Sequence, residues 1–415
     1  MKRSVRAAGF SVLLFASCIC GGCGKDASAV VATEQTFPTE NTLLTAEAEE
    51  KNDTRIHTGG DERIDDGAAG AEESSEYAES GDMASVENEA AGKEKEETDN
   101  IVTITISAAG DVTLGNYLGQ DYTRSFVQTY EEQGKAYFFQ NVLEYFLDDD
   151  MTIVNFEGVL TESEEIQEKD YNMKGEPEYV YILTEGSVEA VSFGNNHRLD
   201  YLAQGSRDTV DMFEEAGIAY AYDNITGIYE TKGIRIGFVS VNESSQGTAV
   251  EKYLREGIAK LRDEDEADLV IACCHWGIEK DYYPEDYQKE LGRKCIDWGA
   301  DLVLGSHPHV LQGIEVYEGR FIVYSLGNFC FGANRNPSDK DTMIFRQTFT
   351  FVDGVKQEDR EVRVIPCSVS SVPERNDFCP TPAQDEEYTR ILGRINQFSA
   401  PFGVIFDEDG WYRKD

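Results

Sequence analysis

The chain has 415 residues, of which 79 are acidic and 37 are lysine or arginine, and its net charge at neutral pH is −42. A surface this acidic, with no basic stripe along the chain, argues against a protein that binds nucleic acid. The length suits one large α/β domain together with shorter segments outside that domain.

The first 24 residues have the pattern of a secretory signal, because a positively charged start precedes an apolar stretch, 7–20, that is too short to span a bilayer. The Gly-Gly-Cys-Gly that follows resembles a bacterial lipoprotein processing site, in which Cys23 becomes the lipidated first residue. We therefore predict a lipoprotein signal peptide in 1–24 and an extracytoplasmic protein, lipid-anchored to the bacterial cell membrane. Lipidation at Cys18, or cleavage without lipidation, are the alternatives.

Residues 25–100 are predicted to be an acidic disordered tether. Between 26 and 100 there are 22 acidic and 5 basic residues and few aromatic ones. Such a composition cannot bury enough apolar surface to offset the entropy of ordering, and like charges extend the segment. An acidic interaction tail is the alternative interpretation.

From residue 101 onward the net charge is −29, and apolar strand patterns alternate with helical ones. This alternation predicts a layered α/β fold, with a main domain over 101–370 and a C-terminal extension, 371–415, that packs on it. Six cysteines follow the signal region without zinc spacing, and Cys367 with Cys379 is the disulfide candidate. The predicted strands are 102–107, one beginning at 151, 188–193, 234–241, 268–274, 302–304, 321–324, 342–352 and 361–365, and the predicted helices are 137–147, 250–263, 287–298 and 386–397.

Four of the five histidines stand at the end of an apolar run, beside Gly, Asn or Pro. Two of them, His307 and His309, flank Pro308, which favours an extended turn from which both rings reach one centre. In open α/β sheets the side chains at the carboxyl ends of the strands converge, although they are far apart in sequence. The other two histidines at strand ends are His197 and His275.

Carboxylate and amide side chains follow the same strands. Together with the histidines they form the mixture of oxygen and imidazole donors that suits Mn, Fe or Zn. A set of independent, solvated strand-end residues is the alternative. The polar residues of this kind are Asp111, Asn155, Glu157, Asn195, Asn196, Asp200, Glu279 and Asn328.

Six motifs in order resemble the CapA/PgsA family of poly-γ-glutamate capsule biosynthesis proteins over about 101–365. They are AAGDVTLG, NFEGVL, FGNNHRLDY, HWGIEKDYYP, GADLVLGSHPHVLQGIEVY and YSLGNFCF. That family is related in fold to the calcineurin-like metallophosphoesterases. The resemblance implies a four-layer αββα sandwich with two central β-sheets.

The resemblance also implies roles for the strand-end residues. His197 matches the histidine that protonates a leaving group, with Asp200 as its orienting partner. Four further residues are expected to contact substrate or to support the ligands: Asn155, Asn195, Glu279 and Asn328. The implied metal ligands are Asp111, Glu157, Asn196, His275, His307 and His309.

One position departs from the related phosphoesterases. They carry a histidine two residues after the first aspartate, where this chain has Thr113. We therefore expect one tight and one weak divalent-metal site. The tight site would have Glu157, Asn196, His275 and His307, and the weak one Asp111, Glu157 and His309.

These features predict a membrane-anchored, extracytoplasmic CapA-family protein with a divalent-metal site, which takes part in making, exporting or anchoring an anionic polymer such as poly-γ-glutamate. Capsule synthase or export subunits are the expected protein partners. The alternatives are a metal-dependent phosphoesterase of envelope substrates and a non-catalytic, polymer-binding assembly subunit. Whether the chain turns over a substrate is left open, and a metal-dependent hydrolase is the enzyme class that the motifs indicate.

Overall fold

The computed structural model describes residues 100–243, 247, 249–358 and 361–413. The predicted signal peptide, the predicted lipidation site Cys23 and nearly all of the predicted tether lie outside these residues. Among the described residues, none of the helices has both the length and the apolar character needed to cross a membrane.

The described elements alternate between strands and helices along most of the chain. In order, the strands are β1 (Ile101–Thr113), β2 (Asn116–Tyr117), β3 (Met151–Phe156), β4 (Val159–Leu160), β5 (Met173–Gly175), β6 (Ala190–Ser192), β7 (Ala219–Ala221), β8 (Gly227–Thr231), β9 (Ile234–Asn242), β10 (Leu269–His275), β11 (Leu302–Ser306), β12 (Ile314–Tyr317), β13 (Arg320–Val323), β14 (Asn328–Phe331), β15 (Asp341–Val352), β16 (Val355–Lys356), β17 (Glu361–Ser368) and β18 (Thr381–Pro382). The helices are α1 (Phe126–Gln133), α2 (Leu143–Leu147), α3 (Val180–Glu185), α4 (Leu202–Ala216), α5 (Ala249–Asp263), α6 (Asp286–Asp297) and α7 (Asp385–Ser399).

Two large sheets organise these elements. The first has the order β18-β17-β15-β1-β3-β6-β7, with β14 paired to the end of β1 and β16 to β15. The second has the order β12-β13-β11-β10-β9-β8. Within the first sheet β1, β3, β6 and β7 run parallel, and within the second β9, β10, β11 and β13 do. The carboxyl ends of these parallel strands therefore meet at one edge of each sheet.

Buried side chains form one layer between the sheets and one on each outer face. The inner layer contains Ile104 and Ile106 of β1 and Ile236 and Ile271 of the second sheet. A second cluster joins the first sheet to α1–α4, and a third joins the second sheet to α5 and α6. Each sheet thus has helices on one face and the other sheet on the other face, which confirms the predicted four-layer αββα sandwich.

The C-terminal helix α7 packs at the side of the inner layer. Its residues Ile391 and Ile395 are fully buried in the cluster between the two sheets. On the same helix, Arg390 donates from both terminal nitrogens to the carboxylate of Asp341, at 2.6 and 2.7 Å. Helix α7 therefore belongs to the core of the sandwich and not to a separate appendage.

The predicted helix over 137–147 is wrong in its extent. Only Leu143–Leu147 is α-helical, and a 3₁₀ turn covers Lys135–Tyr137. Between them, Asn141 donates from its side chain to the hydroxyl of Thr381 at 2.9 Å. This contact with a distant strand holds the segment as turns, so tertiary structure overrides the local helical pattern.

The expected Cys367–Cys379 disulfide is also wrong. All the cysteines of the described residues are free and buried. Cys367 lies in the apolar cluster under α1–α4, while the thiol of Cys379 donates to the carbonyl of Tyr137 at 3.3 Å. The two sulfur atoms therefore have different neighbours and act as small apolar side chains.

Candidate metal centre

The crevice begins where the central strands of the two sheets end. Strand β1 pairs in parallel with β3 and with β14, so that Asp111 lies beside Asn155 on one side and Asn328 on the other. In the second sheet His275 is the last residue of β10 and pairs with Ser306 of β11. The strand ends predicted from sequence therefore do come together.

A close backbone contact holds β1 against the loop before β14. The backbone N–H of Asp111 donates to the carbonyl of Gly327 at 2.9 Å. A Cβ atom at the preceding residue, Gly110, would lie 1.9 Å from the same carbonyl oxygen. Only glycine fits there, and its presence sets the position of the Asp111 carboxylate.

The double-histidine turn, residues 307–309, follows β11. Both His307 and His309 have positive φ angles, 94° and 56°. Histidine seldom adopts this region of backbone space, and such strain is commonly stored at functional sites. The turn brings the two imidazole rings to within 5.8 Å of each other, and His307 to within 4.7 Å of His275, centroid to centroid.

Glu157 lies at the centre of the imidazoles. Its Oε1 is 3.7 Å from Nε2 of His197, 3.8 Å from Nε2 of His275 and 3.8 Å from Nε2 of His309. The side chain is fully buried, and neither oxygen has a hydrogen-bond partner among the described residues. These distances are too long for hydrogen bonds, and those to His275 and His309 each leave room for an ion about 2.0–2.2 Å from both donors.

Asp111 is the second buried carboxylate of the crevice. Its Oδ1 accepts a hydrogen bond from Nδ2 of Asn155 at 2.8 Å, and its Oδ2 lies 2.9 Å from Nδ1 of His309. The same His309 nitrogen is 3.0 Å from Oδ1 of Asn328. Asn155 and Asn328 therefore orient the acid and the imidazole, as the strand-end pattern predicts for supporting residues.

Two sets of donors, all buried except the partly exposed His309, are compact enough to hold an ion, with all ligand atoms within 4.8 Å of one another. We call the set of Glu157, His275 and His307 the inner position. The set of Asp111, Glu157 and His309 is the outer position. Oδ1 of Asn196 is 3.0 Å from Nε2 of His275, which adds an amide oxygen to the inner position.

The protonation states of the two positions differ. Burial lowers the pKa of His275 well below its usual value, and burial together with the nearby His309 lowers the pKa of His307 to about 4. Burial also lowers the pKa of His309, but the Glu157 and Asp111 carboxylates outweigh it and raise that pKa to about 10. Burial raises the pKa of Glu157 to about 8. The inner imidazoles are therefore neutral and ready to bind a cation, whereas a cation at His309 must displace a proton.

Thr113 adds no ligand to the outer position. Its hydroxyl is buried and donates to the backbone carbonyl of Glu157 at 2.7 Å. The outer position thus has one imidazole where the inner position has two.

His197 lies next to the two positions and is held by Asp200. Its Nδ1 is 2.7 Å from Oδ2 of Asp200, while Nε2 faces Glu157. Lys169 reaches the same pair, donating from Nζ to Oδ1 of Asp200 at 2.6 Å, and Nζ lies 3.2 Å from Nδ1 of His197. Burial lowers the pKa of His197, against the opposing effect of Asp200. The imidazole is therefore neutral, with Nδ1–H donated to Asp200.

Of the remaining predicted site residues, Asn195 supports the Asn-His turn and Glu279 is exposed to solvent. Asn195 donates to the carbonyl of Phe156 at 2.6 Å and accepts from the backbone N–H of His197 at 3.1 Å, so it fixes the Asn-His turn. Glu279 is exposed at the mouth of the crevice, beside His307 and His309. Sequence reasoning missed Lys169, because it lies in a charged segment without strand or helix periodicity.

A family model described as "Bacterial capsule synthesis protein PGA_cap" matches residues 105–333. The chain belongs to this family. The matched segment includes every residue of the inner and outer positions, and also His197 and Asp200.

Two curated relatives are similar over the same part of the chain. The "Capsule biosynthesis protein CapA" of Bacillus anthracis is 31% identical over 253 residues, which cover 55% of this chain and 60% of that protein. The "PGA biosynthesis protein CapA" of Bacillus subtilis strain 168 is 32% identical over 251 residues, covering 55% and 63%. The match thus spans about three fifths of the length of these relatives.

Among solved structures, the NAD nucleotidase of Haemophilus influenzae aligns with 71% of this chain and 55% of its own. The TM-score is 0.37 and the sequence identity is 10%.

Proposed function

We propose that this chain is an extracytoplasmic capsule-biosynthesis protein that uses a divalent-metal centre to act on an anionic envelope polymer such as poly-γ-glutamate. The family membership supports the link to capsule synthesis, and the names of the two Bacillus relatives support the polymer. The observation that carries the metal centre is Glu157, a buried carboxylate with no hydrogen-bond partner among the described residues and three imidazole nitrogens at 3.7–3.8 Å.

The donor sets fit a divalent ion. Carboxylate, amide and imidazole donors are the ligands of Mn, Fe and Zn, and Glu157 is common to both sets. A divalent ion bound there supplies Lewis acidity, which polarises a carbonyl or phosphoryl oxygen of a substrate. The protein contributes the positions of the donors, which the strand ends and the strained double-histidine turn fix in advance.

His197 is the residue that moves a proton. Because Nδ1–H is donated to Asp200, the lone pair of Nε2 faces the crevice. His197 therefore takes up a proton at Nε2 before it can deliver one to a leaving group. Lys169 holds the other oxygen of Asp200, so that the carboxylate cannot turn away from the imidazole.

Charge constrains how a polyanion reaches the crevice. The chain from residue 101 onward carries −29, so it repels a poly-glutamate chain at long range. Cations held between the polymer and the acidic surface offset this repulsion locally. The proposal therefore requires divalent ions for polymer binding as well as for any bond cleavage.

The proposed location is outside the cytoplasm, with the chain anchored through a lipid on Cys23. Its support is the sequence of the first 24 residues, which resembles a lipoprotein signal. A Cys23→Ser chain that still fractionates with membranes, with an N-terminus of unchanged mass, would contradict this anchor.

A phosphoesterase acting on envelope substrates is the second candidate. The observation in its favour is the His197–Asp200 pair beside two adjacent donor sets, because two ions with a neighbouring acid suit in-line displacement at phosphorus. A capsule-polymer function requires action on the polymer, whereas a phosphoesterase requires a phosphate ester. The substrate that the chain prefers therefore separates the two candidates.

The test is turnover by the purified full-length chain in detergent, with Mn²⁺ and with either poly-γ-glutamate or an aryl phosphate ester. We expect metal-dependent cleavage that His197→Gln lowers by about 10²–10⁴-fold, with the metal content unchanged. His57→Gln, in the predicted tether, is the matched control. Cleavage of the ester alone would favour the phosphoesterase, and a metal-loaded chain that cleaves neither substrate would leave a polymer-binding assembly subunit.

A further inference from the structure

Glu279 is placed against the double-histidine turn by the backbone. The next residue, Lys280, donates its N–H to the carbonyl of Pro308 at 2.8 Å, which ties the loop after β10 to the turn. A carboxylate oxygen of Glu279 lies within 4.8 Å of a ring nitrogen of His307 and of one of His309. The side chain is therefore held where a third carboxylate can reach the metal centre.

The outer position lacks a donor on the side of Thr113. Its three donors are Asp111, Glu157 and His309. The hydroxyl of Thr113 instead donates a hydrogen bond to the backbone carbonyl of Glu157. Protein sites for these ions are filled by four or more ligands, and a histidine at position 113 would have been the fourth. His309 belongs both to the outer position and to the set that contains Glu279.

Two further observations indicate that a cation can bind beside Glu279. Glu279 is exposed, so its carboxylate is accessible to an ion from solvent. Beside it lies His307 of the inner position, which is only 8% exposed. Its Nδ1 is buried and has no hydrogen-bond partner in the described part of the chain. A buried polar atom without a partner is costly unless a ligand satisfies it.

We propose that Glu279 is a ligand of the outer ion and takes the place of the imidazole that Thr113 does not provide. The outer position then has three carboxylates and one imidazole, whereas the inner position has one carboxylate, one amide and two imidazoles. This inference rests on the metal centre proposed above, and it assigns Glu279 to one of the two ions. A harder, carboxylate-rich outer position favours Mn²⁺ over the softer ions.

A general electrostatic effect of Glu279 on the positively charged His309 is the competing explanation. The two explanations can be distinguished by changing the length and the charge of the side chain at position 279 independently. Glu279→Gln removes the charge and the strong donor at constant length, and Glu279→Asp keeps the charge but withdraws the carboxylate by about 1.5 Å. Glu256→Gln is the matched control, because it removes the same charge from an exposed site on α5.

The experiment is Mn²⁺ titration of the full-length chain by calorimetry, with elemental analysis after dialysis. We expect Glu279→Gln and Glu279→Asp to keep the tightly held ion and to bind the second ion at least about tenfold more weakly than wild type. Glu256→Gln should bind both ions as wild type does. Circular dichroism verifies the fold of each variant, and folding is not at risk because residue 279 is exposed.

Four results would overturn the inference. Wild-type affinity for the second ion in Glu279→Gln would show that residue 279 is not a ligand. Wild-type affinity for the second ion in Glu279→Asp would show that Glu279 acts only through its charge. Loss of the tight ion in either variant would show that Glu279 supports the inner position and not the outer one. Absence of any bound metal in wild type would remove the metal centre and this inference together, whereas the expected pattern without turnover would count only against hydrolysis.

Discussion

Two buried carboxylates, Glu157 and Asp301, lie at opposite ends of the parallel strands and have opposite surroundings, since Asp301 has hydrogen-bond partners and Glu157 has none among the described residues. Asp301, just before β11, accepts from the backbone N–H of Val270 at 2.9 Å and is paired with Arg262 and Lys356. Glu157, just after β3, is equally buried but has no hydrogen-bond partner in the described chain. A satisfied carboxylate stabilises the fold, and an unsatisfied one at the strand ends indicates a place for a cation.

The largest expected effect on stability comes from the satisfied carboxylate. Asp301→Asn removes the charge that Arg262 and Lys356 face, so the free energy of unfolding should fall by about 3 kcal/mol. Chemical denaturation measures this, and metal content per folded chain should stay as in wild type. If Asp301→Asn is as stable as wild type, the opposite end of the strands is not held together by this carboxylate.

The unsatisfied carboxylate should behave in the reverse manner. Glu157→Gln removes a donor that both positions share, so divalent-ion affinity should fall by at least about a hundredfold. In chelator, however, the melting temperature should not fall, because Glu157 has no hydrogen bond within the described ranges that the amide would lose. A variant that loses stability in chelator but keeps its ions would place Glu157 among the structural carboxylates.

Asp149 is intermediate between Asp301 and Glu157, because its carboxyl is largely buried but has a hydrogen bond from Thr152. Its substitution should have the smallest effect on the melting temperature. Burial raises its pKa to about 7, although a hydrogen bond from Thr152 opposes the shift. Because the folded state keeps this proton up to a higher pH than the unfolded chain, its contribution to stability is present below about pH 4 and is lost as the pH rises through 7. Asp149→Asn should therefore raise the melting temperature at pH 8 and change it less at pH 4.

The neighbouring residue provides the control for this effect. Asp148 is exposed, so Asp148→Asn removes an equal charge from the surface, and the pH profile of Asp149→Asn is compared with the profile of this variant. An Asp149→Asn variant with the same pH profile as wild type would show that this carboxyl titrates normally in the fold.

The strand-end residues could be predicted from sequence because each follows an apolar run and because parallel strands share a carboxyl edge. Lys169 could not, since a lysine within an acidic loop carries no periodic signal and its contact with Asp200 depends on where the loop folds back. Helix α4 was also missed, although Gly217 ends it in the left-handed conformation. Gly205 lowers its helical propensity and is there because a Cβ would lie 2.6 Å from that of Tyr201.

The placement of Glu279 shows the same limit. The sequence places it four residues beyond a strand end, which suggests the crevice but not which ion it approaches. Only the hydrogen bond from Lys280 to Pro308, between segments almost 30 residues apart, brings its carboxylate beside His309. Non-local contacts of this kind have no signature in a single sequence.

The central claim, two unequal metal positions around Glu157, is tested most directly by elemental analysis of dialysed wild type, His307→Ala and His309→Ala. Wild type should retain about one divalent ion per chain and take up a second only in excess metal, because the inner position has two neutral imidazoles. His307→Ala should lose the retained ion, and His309→Ala should keep it but fail to bind the second. Two ions of equal affinity in wild type, or none in a folded chain, would contradict the account.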